Sequence, residues 1–129
     1  MRVSVVLATR NRPVLFERAL ASVLAQRDVD AEVVVVLDGS DDEHLAAYEA
    51  VFERARSRLG DRLRVLRLVH RPAGHGQSYA LNTGVAAARA EYVAFLDDDD
   101  LWIDDGHLAR IGRVVDEGGA PPPDLLFTN

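Results

Sequence analysis

The 129-residue chain contains no cysteine. Disulfides, thiolate metal ligands and a thiol nucleophile are excluded, so any metal would rest on carboxylates and the four histidines. Lysine is absent as well, and every basic residue is arginine. A Walker-type phosphate loop and a lysine Schiff base are therefore ruled out. No apolar run reaches membrane-spanning length. Met1-Arg2-Val3 opens into a strand pattern rather than a signal peptide. These features predict a soluble, cytoplasmic chain, held at the inner face of a membrane only through a longer parent protein or a partner. The formal net charge is −6, and no basic stretch marks a nucleic-acid surface. A chain of this length is one domain or part of one, and buries roughly two-thirds of its unfolded surface without crosslinks.

What is present is an alternation of strand and helix patterns. Val3 to Ala8 is apolar except for Ser4 and reads as a central strand. Thr9-Arg10-Asn11-Arg12 is a polar turn, and Pro13 suits the first turn of a helix. Phe16, Leu20, Val23 and Leu24 then mark one helical face. Glu32 to Leu37 carries four consecutive valines and predicts a second buried strand. Asp38-Gly39-Ser40 turns the chain, with Ser40 and Glu43 in capping-box spacing. Leu45, Tyr48, Phe52, Ala55 and Leu59 form the next helical stripe, closed by Gly60. Leu63 to Val69 predicts a third strand nearer an edge.

His70 to Gly76 is a loop, followed by a helix from Gln77 to Arg89. Its small residues Ala80, Gly84, Ala87 and Ala88 would let it lie close on a sheet. Tyr92 to Leu96 predicts a fourth, buried strand, and 105 to 117 a helix bearing Leu108, Ile111, Val114 and Val115. After the breaker loop 118–123, Leu125 to Thr128 predicts a short fifth strand. The alternation predicts a parallel α/β sheet with right-handed crossovers. Ending on a strand leaves one face less covered than is usual, so a cut chain or one half of a larger domain is expected.

Asp97-Asp98-Asp99-Asp100 stands at the carboxyl end of the predicted fourth strand, where open α/β sheets place their ligand crevices. Four adjacent carboxylates repel one another unless water or cations offset them. Oxygen ligands at this density suit Mg2+ or Mn2+, most often in the service of a phosphate. A solvated acidic face is the competing reading. A helix–loop–helix calcium site does not fit, because the sixth position from Asp97 is Trp102 rather than Gly. The same sheet edge should gather Thr9-Arg10-Asn11, Asp38-Gly39-Ser40 and the loop 70–76. A nucleoside diphosphate could use the whole set: an isolated carboxylate for base or ribose, a cation against the diphosphate, and loop N–H groups at a helix start. A dinucleotide fingerprint is missing after the first strand. A D-x-D-x-[TV] phosphotransferase is disfavoured by Leu101 at the fifth position and by the lack of lysine. His75 reads as a solvated loop residue. Asp104 reads as a cap beside a surface His107, and Trp102 as a partly buried packing residue.

The blocks Val3-Ser-Val-Val-Leu-Ala-Thr9-Arg-Asn11-Arg-Pro13, Val36-Leu-Asp38-Gly-Ser40, Asn82-Thr-Gly84 and Glu91-Tyr-Val-Ala-Phe-Leu-Asp97-Asp-Asp99-Asp100 together resemble glycosyltransferase family 2. The resemblance covers essentially the whole chain. It implies a GT-A fold, a Rossmann-like, mostly parallel sheet of about five strands with flanking helices. It implies the donor-binding portion of an enzyme moving a sugar from a nucleoside diphosphate, a UDP-sugar being favoured, to an acceptor hydroxyl on a glycan, lipid or small molecule. By position, Ala8, Thr9 and Asn11 would line the nucleotide pocket, with Gly76 in the same donor site. Asp38 would contact the base. Asp97-Asp98-Asp99 would be the DxD motif. Asp99 would bind Mn2+ or Mg2+, with Asp97 or Asp98 reaching the ribose or the same cation. The metal would act as a Lewis acid on the departing diphosphate. Inversion at the anomeric carbon is usual in the family, and the carboxylate base is expected beyond Asn129. Leu81 departs from the arginine that many members carry there. The alternative is a non-catalytic, nucleotide-binding or partner-dependent fragment.

Overall fold

The computed structural model describes residues 3–118 and Asp124. In chain order it contains β1 (Val3–Thr9), α1 (Pro13–Leu24), β2 (Ala31–Leu37), α2 (Asp42–Leu59), β3 (Leu63–Arg67), α3 (Gln77–Ala87), β4 (Tyr92–Phe95) and α4 (His107–Glu117). The described strands form one sheet in the order β3–β2–β1–β4, and every neighbouring pair is parallel. β1 and β2 pair over their full length, Val5 opposite Val33 and Thr9 opposite Leu37. Both are buried on both faces, which is why they read as continuous apolar runs rather than alternating ones.

Strand alternation sends Val3, Val5 and Leu7 of β1, with Val33, Val35 and Leu37 of β2, to one face. There they meet Phe16 and Leu20 of α1 and Tyr48 and Phe52 of α2. The three rings lie 5.6 to 6.1 Å apart, centroid to centroid. The other face takes α3. A Cβ on Gly84 would stand 2.5 Å from Val6 Cγ1 and 3.2 Å from Val36 Cγ2. Glycine there is the condition for close helix–sheet approach, as the small-residue stripe predicts.

Local chemistry sets the element ends. Pro13 opens α1. α2 carries Asp42 and Glu43 in its first turn and Arg56 and Arg58 in its last, each favourable to the helix dipole. Gly60, at φ 58°, closes α2 through its N–H to Arg56. Gln26 fixes the start of α4: its amide donates to Asp104 O at 2.7 Å and accepts from Leu108 N at 2.9 Å. At the amino end of the sheet the buried Glu32 accepts from Ser4 Oγ (2.6 Å) and Arg89 N (2.7 Å), while Ser4 Oγ accepts from Ala90 N (3.0 Å). These bonds fix the chain entering β4, and hence the register that carries the acid run.

Several expectations need correction. β3 ends at Arg67 rather than Val69, because the chain lifts there to pass over Gly39, whose added Cβ would come within 2.8 Å of Val69 O. α3 ends at Ala87. The capping box does not form: the N-cap is Asp41, without a side-chain cap, and Ser40 Oγ instead accepts from Asn11 N at 3.1 Å. β4 is an edge strand among the described residues, with Phe95 54% exposed, not a buried one. The fifth strand expected at 125–128 lies outside the described residues. No described helix is long and apolar enough to cross a membrane.

Candidate functional site

The carboxyl ends of β1, β2 and β4 meet the start of α3 around a cleft of about 300 Å³. Ala8, Thr9, Arg10, Arg12, Asp38, Gly76, Gln77 and Asp97 to Asp99 are among its lining residues. Seven of the eight positions implied by the resemblance therefore come together, and Asn11 does not join them. Asn11 sits beside the cleft at φ 54°. Its amide donates to Asp41 Oδ2 (2.9 Å) and accepts from Asp41 N (2.8 Å), bracing the first loop against the start of α2.

The four acids divide into two groups. Asp100 N donates to Asp97 O at 3.1 Å, closing a turn. Asp98 points inward and is only 2% exposed. Its Oδ2 accepts from Thr9 Oγ1 at 2.9 Å, and Arg12 grips both its oxygens, Nη2 at 2.6 Å and Nε at 3.2 Å. Burial pushes the Asp98 carboxyl above its ordinary range, and the Asp99 charge adds to this, while Thr9 and Arg12 oppose it. Asp97, Asp99 and Asp100 point outward, each offering a carboxylate oxygen within 4.8 Å of the others. Three exposed oxygen donors at that spacing fit a hard divalent cation.

Support for Asp98 comes from α2. The Tyr48 hydroxyl accepts from Arg12 N at 2.9 Å and lies 2.7 Å from Thr9 Oγ1. Because Thr9 spends its single proton on Asp98, Tyr48 must donate to Thr9. A directed chain of hydrogen bonds thus runs from Arg12 N–H through Tyr48 and Thr9 to the Asp98 carboxylate.

Asp38 is engaged from the opposite side. Its Oδ1 accepts from His75 N at 2.8 Å and lies 2.9 Å from His75 Nδ1, and its Oδ2 accepts from Gly76 N at 3.1 Å. His75 is thus not a solvated loop residue: it is largely enclosed and stacks on Tyr79 at 5.3 Å. Gly74 makes this closure possible. At φ 68° it passes so near that an added Cβ would be 2.7 Å from Arg10 Cδ and 2.8 Å from Asp38 Oδ2. Arg10 donates to Pro72 O at 2.6 Å. At the loop's outer edge, chiefly the hydrogen bond from His70 holds Asp41 below its ordinary range; burial opposes it, and Asn11 and the Arg10 charge add smaller lowering effects. α3 then starts at the cleft with no side-chain cap and no acid in its first turn. Its free N–H groups and positive end favour an anion there.

Elsewhere, Asp104 Oδ1 accepts from Gly106 N at 2.7 Å, ahead of α4 rather than as its N-cap. His107 packs against the partly buried Trp102, the rings tilted by 35° with centroids 4.9 Å apart, instead of lying free on the surface. Arg12, Gln77 and Tyr48 were not singled out by sequence reasoning, and Arg10 was placed at this edge without a role. Arg10 and Arg12 stand inside the polar turn after β1 and were legible as its only cations. Tyr48 carried no signal beyond its place in a helical stripe.

The family model for glycosyl transferase family 2 matches residues 4–120. An uncharacterized glycosyltransferase of Nostoc sp. is 38% identical over 102 residues, 79% of this chain and 29% of that protein. The structure of S. aureus TarS residues 1–349 in complex with UDP-GlcNAc superposes with a TM-score of 0.75 at 31% identity, covering 91% of this chain and 32% of that one. The mannosyltransferase PcManGT from Pyrobaculum calidifontis, in complex with GDP-Man and Mn2+, gives 0.71 at 31% identity over 84% of this chain and 30% of its own. The chain spans about a third of the length of each.

Proposed function

The chain belongs to glycosyltransferase family 2, and from that premise we propose that its cleft binds a nucleoside-diphosphate sugar whose sugar passes to an acceptor hydroxyl. One observation carries this reading: a single cleft joins Asp97 and Asp99 of the outward acid triad, an uncapped helix start and a loop closed on Asp38. Ala8, Thr9 and Gly76 line the nucleotide end. Asp38 shapes that end by holding the 75–76 amides, and serves the base from there. The α3 start and Gln77 face the diphosphate. Asp97 and Asp99 hold Mn2+ or Mg2+, with Asp100 in reach. A cation bound there offsets the charge of the departing diphosphate. Asp98 contributes by fixing Arg12 and Thr9.

TarS with UDP-GlcNAc and PcManGT with GDP-Man both support a sugar nucleotide as the ligand class. We favour a UDP-sugar. On this reading residues 1–129 are one donor-binding GT-A unit. The acceptor pocket and the base that deprotonates its hydroxyl belong to sequence outside it.

The test is calorimetric titration with UDP, GDP and dTDP, with and without Mn2+, on the wild type and Asp99→Ala. Saturable binding that needs Mn2+ and disappears in Asp99→Ala is expected. A folded wild-type chain that binds none of the three nucleotides would sink the donor-site reading.

A further inference from the structure

Arg12 stands between the two groups of acids. Its backbone is held fast: its N–H is bound to Tyr48, and its carbonyl accepts from Phe16 N at 2.9 Å as α1 begins. Its side chain is half exposed, and its two contacts are unequal. To the buried Asp98 it makes two hydrogen bonds, the shorter 2.6 Å. To Asp99, itself 51% exposed, it makes only a 3.5 Å contact through Nη1. The tight contact is desolvated and short. The loose one faces water and is screened. The other guanidinium lining the cleft is held away from the acids: Arg10 Nη2 donates to Pro72 O, and its buried Nε, which has no partner, lies against the Gly74 backbone.

We infer that Arg12 is an internal counter-cation that changes partners when donor and metal bind, keeping Asp98, releasing Asp99 to the divalent cation and turning the freed N–H to the diphosphate. This rests on the donor-site reading and adds a residue role to it. The guanidinium offsets part of the acid run's self-repulsion. That same contact competes with a cation for Asp99. Once the cation neutralises Asp99, Nη1 has no partner on that side, and an anionic phosphate oxygen is the group that satisfies it best.

The swap predicts opposite signs for two affinities. Removing Arg12 frees Asp99 and strengthens binding of metal alone, but deprives the diphosphate of a donor and weakens binding of nucleotide. A purely structural Arg12 moves both the same way. The experiment is calorimetry on the whole chain with Mn2+ alone, then with UDP at saturating Mn2+, for the wild type and Arg12→Gln. Because Arg12→Gln leaves Asp98 buried without its cation, Arg12→Gln/Asp98→Asn is measured beside it, and each variant's fold is checked by its thermal transition.

Mn2+ affinity alone should rise roughly two- to fivefold, the size of an exposed ion pair. UDP affinity should fall about ten- to hundredfold, as for a charge-assisted hydrogen bond. A wild type that binds both ligands, with folded variants that lose both affinities or change neither, overturns the swap and leaves the donor site standing. A wild type that binds neither overturns both.

Discussion

Replacing Tyr48 by Phe removes one oxygen and leaves a fully buried ring in place. The ring's packing against Phe16 and Phe52 is unchanged, so no cavity term enters. What is lost is the link between Arg12 N at 2.9 Å and Thr9 Oγ1 at 2.7 Å. Two net hydrogen bonds, one of which leaves a partly buried N–H without a partner, amount to about 1–3 kcal/mol. For a chain of this size that is a fall in Tm of roughly 4–12 °C. Urea unfolding should show the same loss as a lower midpoint at constant slope. Tyr48→Ala adds the cavity and should cost about 3–5 kcal/mol. A Tyr48→Phe protein within about 0.5 kcal/mol of wild type would refute the reasoning, since the hydroxyl would then hold nothing that water does not replace.

Gly84→Ala drives a methyl group into Val6 between two packed layers. The overpacking should outweigh the gain in helix propensity and destabilise by about 1–2 kcal/mol in urea unfolding; a neutral or stabilised variant contradicts the close approach of α3. Gly74→Ala meets a left-handed backbone, Arg10 and Asp38 together. It should cost about 1–2 kcal/mol in thermal unfolding and weaken UDP binding by lifting the loop off Asp38; unchanged nucleotide affinity speaks against the loop's role. His107 is held below its ordinary 6.5, first by burial and then by the Arg110 charge, with Asp104 opposing. The unfolded chain therefore takes up this proton more readily, and the stability tied to neutral His107 is complete above pH 6.5 and lost as pH falls through the depressed folded value. Unfolding at pH 7.5 and 5.5 should show that loss, with Trp102 fluorescence reporting the same titration; a His107→Gln chain that keeps the full difference assigns it elsewhere.

The fold was legible because its main strands are buried on both faces. Four valines in a row at 33–36 admit little but a central parallel strand, and Gly84 in a small-residue stripe foretold a helix pressed onto it. The acid run was legible as a site by composition and position, but its division was not. Asp98 turns inward because Thr9 and Arg12, 89 and 86 residues away in sequence, reach it, and partners that remote leave no local trace. Tyr48 shows the same limit, since a hydroxyl inside a helical stripe reads as packing until its partners are placed. The capping box failed for a related reason: Ser40 has a competing long-range donor in Asn11 N, and spacing alone does not reveal the competitor. His75 was misread because Gly neighbours suggest an open loop, whereas here Gly74 lets the chain close down on Asp38.

The central claim is that one cleft, at the carboxyl ends of β1, β2 and β4, takes a nucleoside diphosphate beside a divalent cation. It is tested most directly by following backbone amide resonances during titration with UDP in the presence of Mg2+, then adding trace Mn2+ as a paramagnetic probe. Shifts are expected at Thr9, Asp38, Gly76 and Gln77, with Mn2+ broadening centred on Asp97, Asp99 and Asp100. Shifts confined to another part of the surface, such as the cavity lined by Val29, Leu59 and Arg62, or broadening that leaves the acid run sharp, would contradict it.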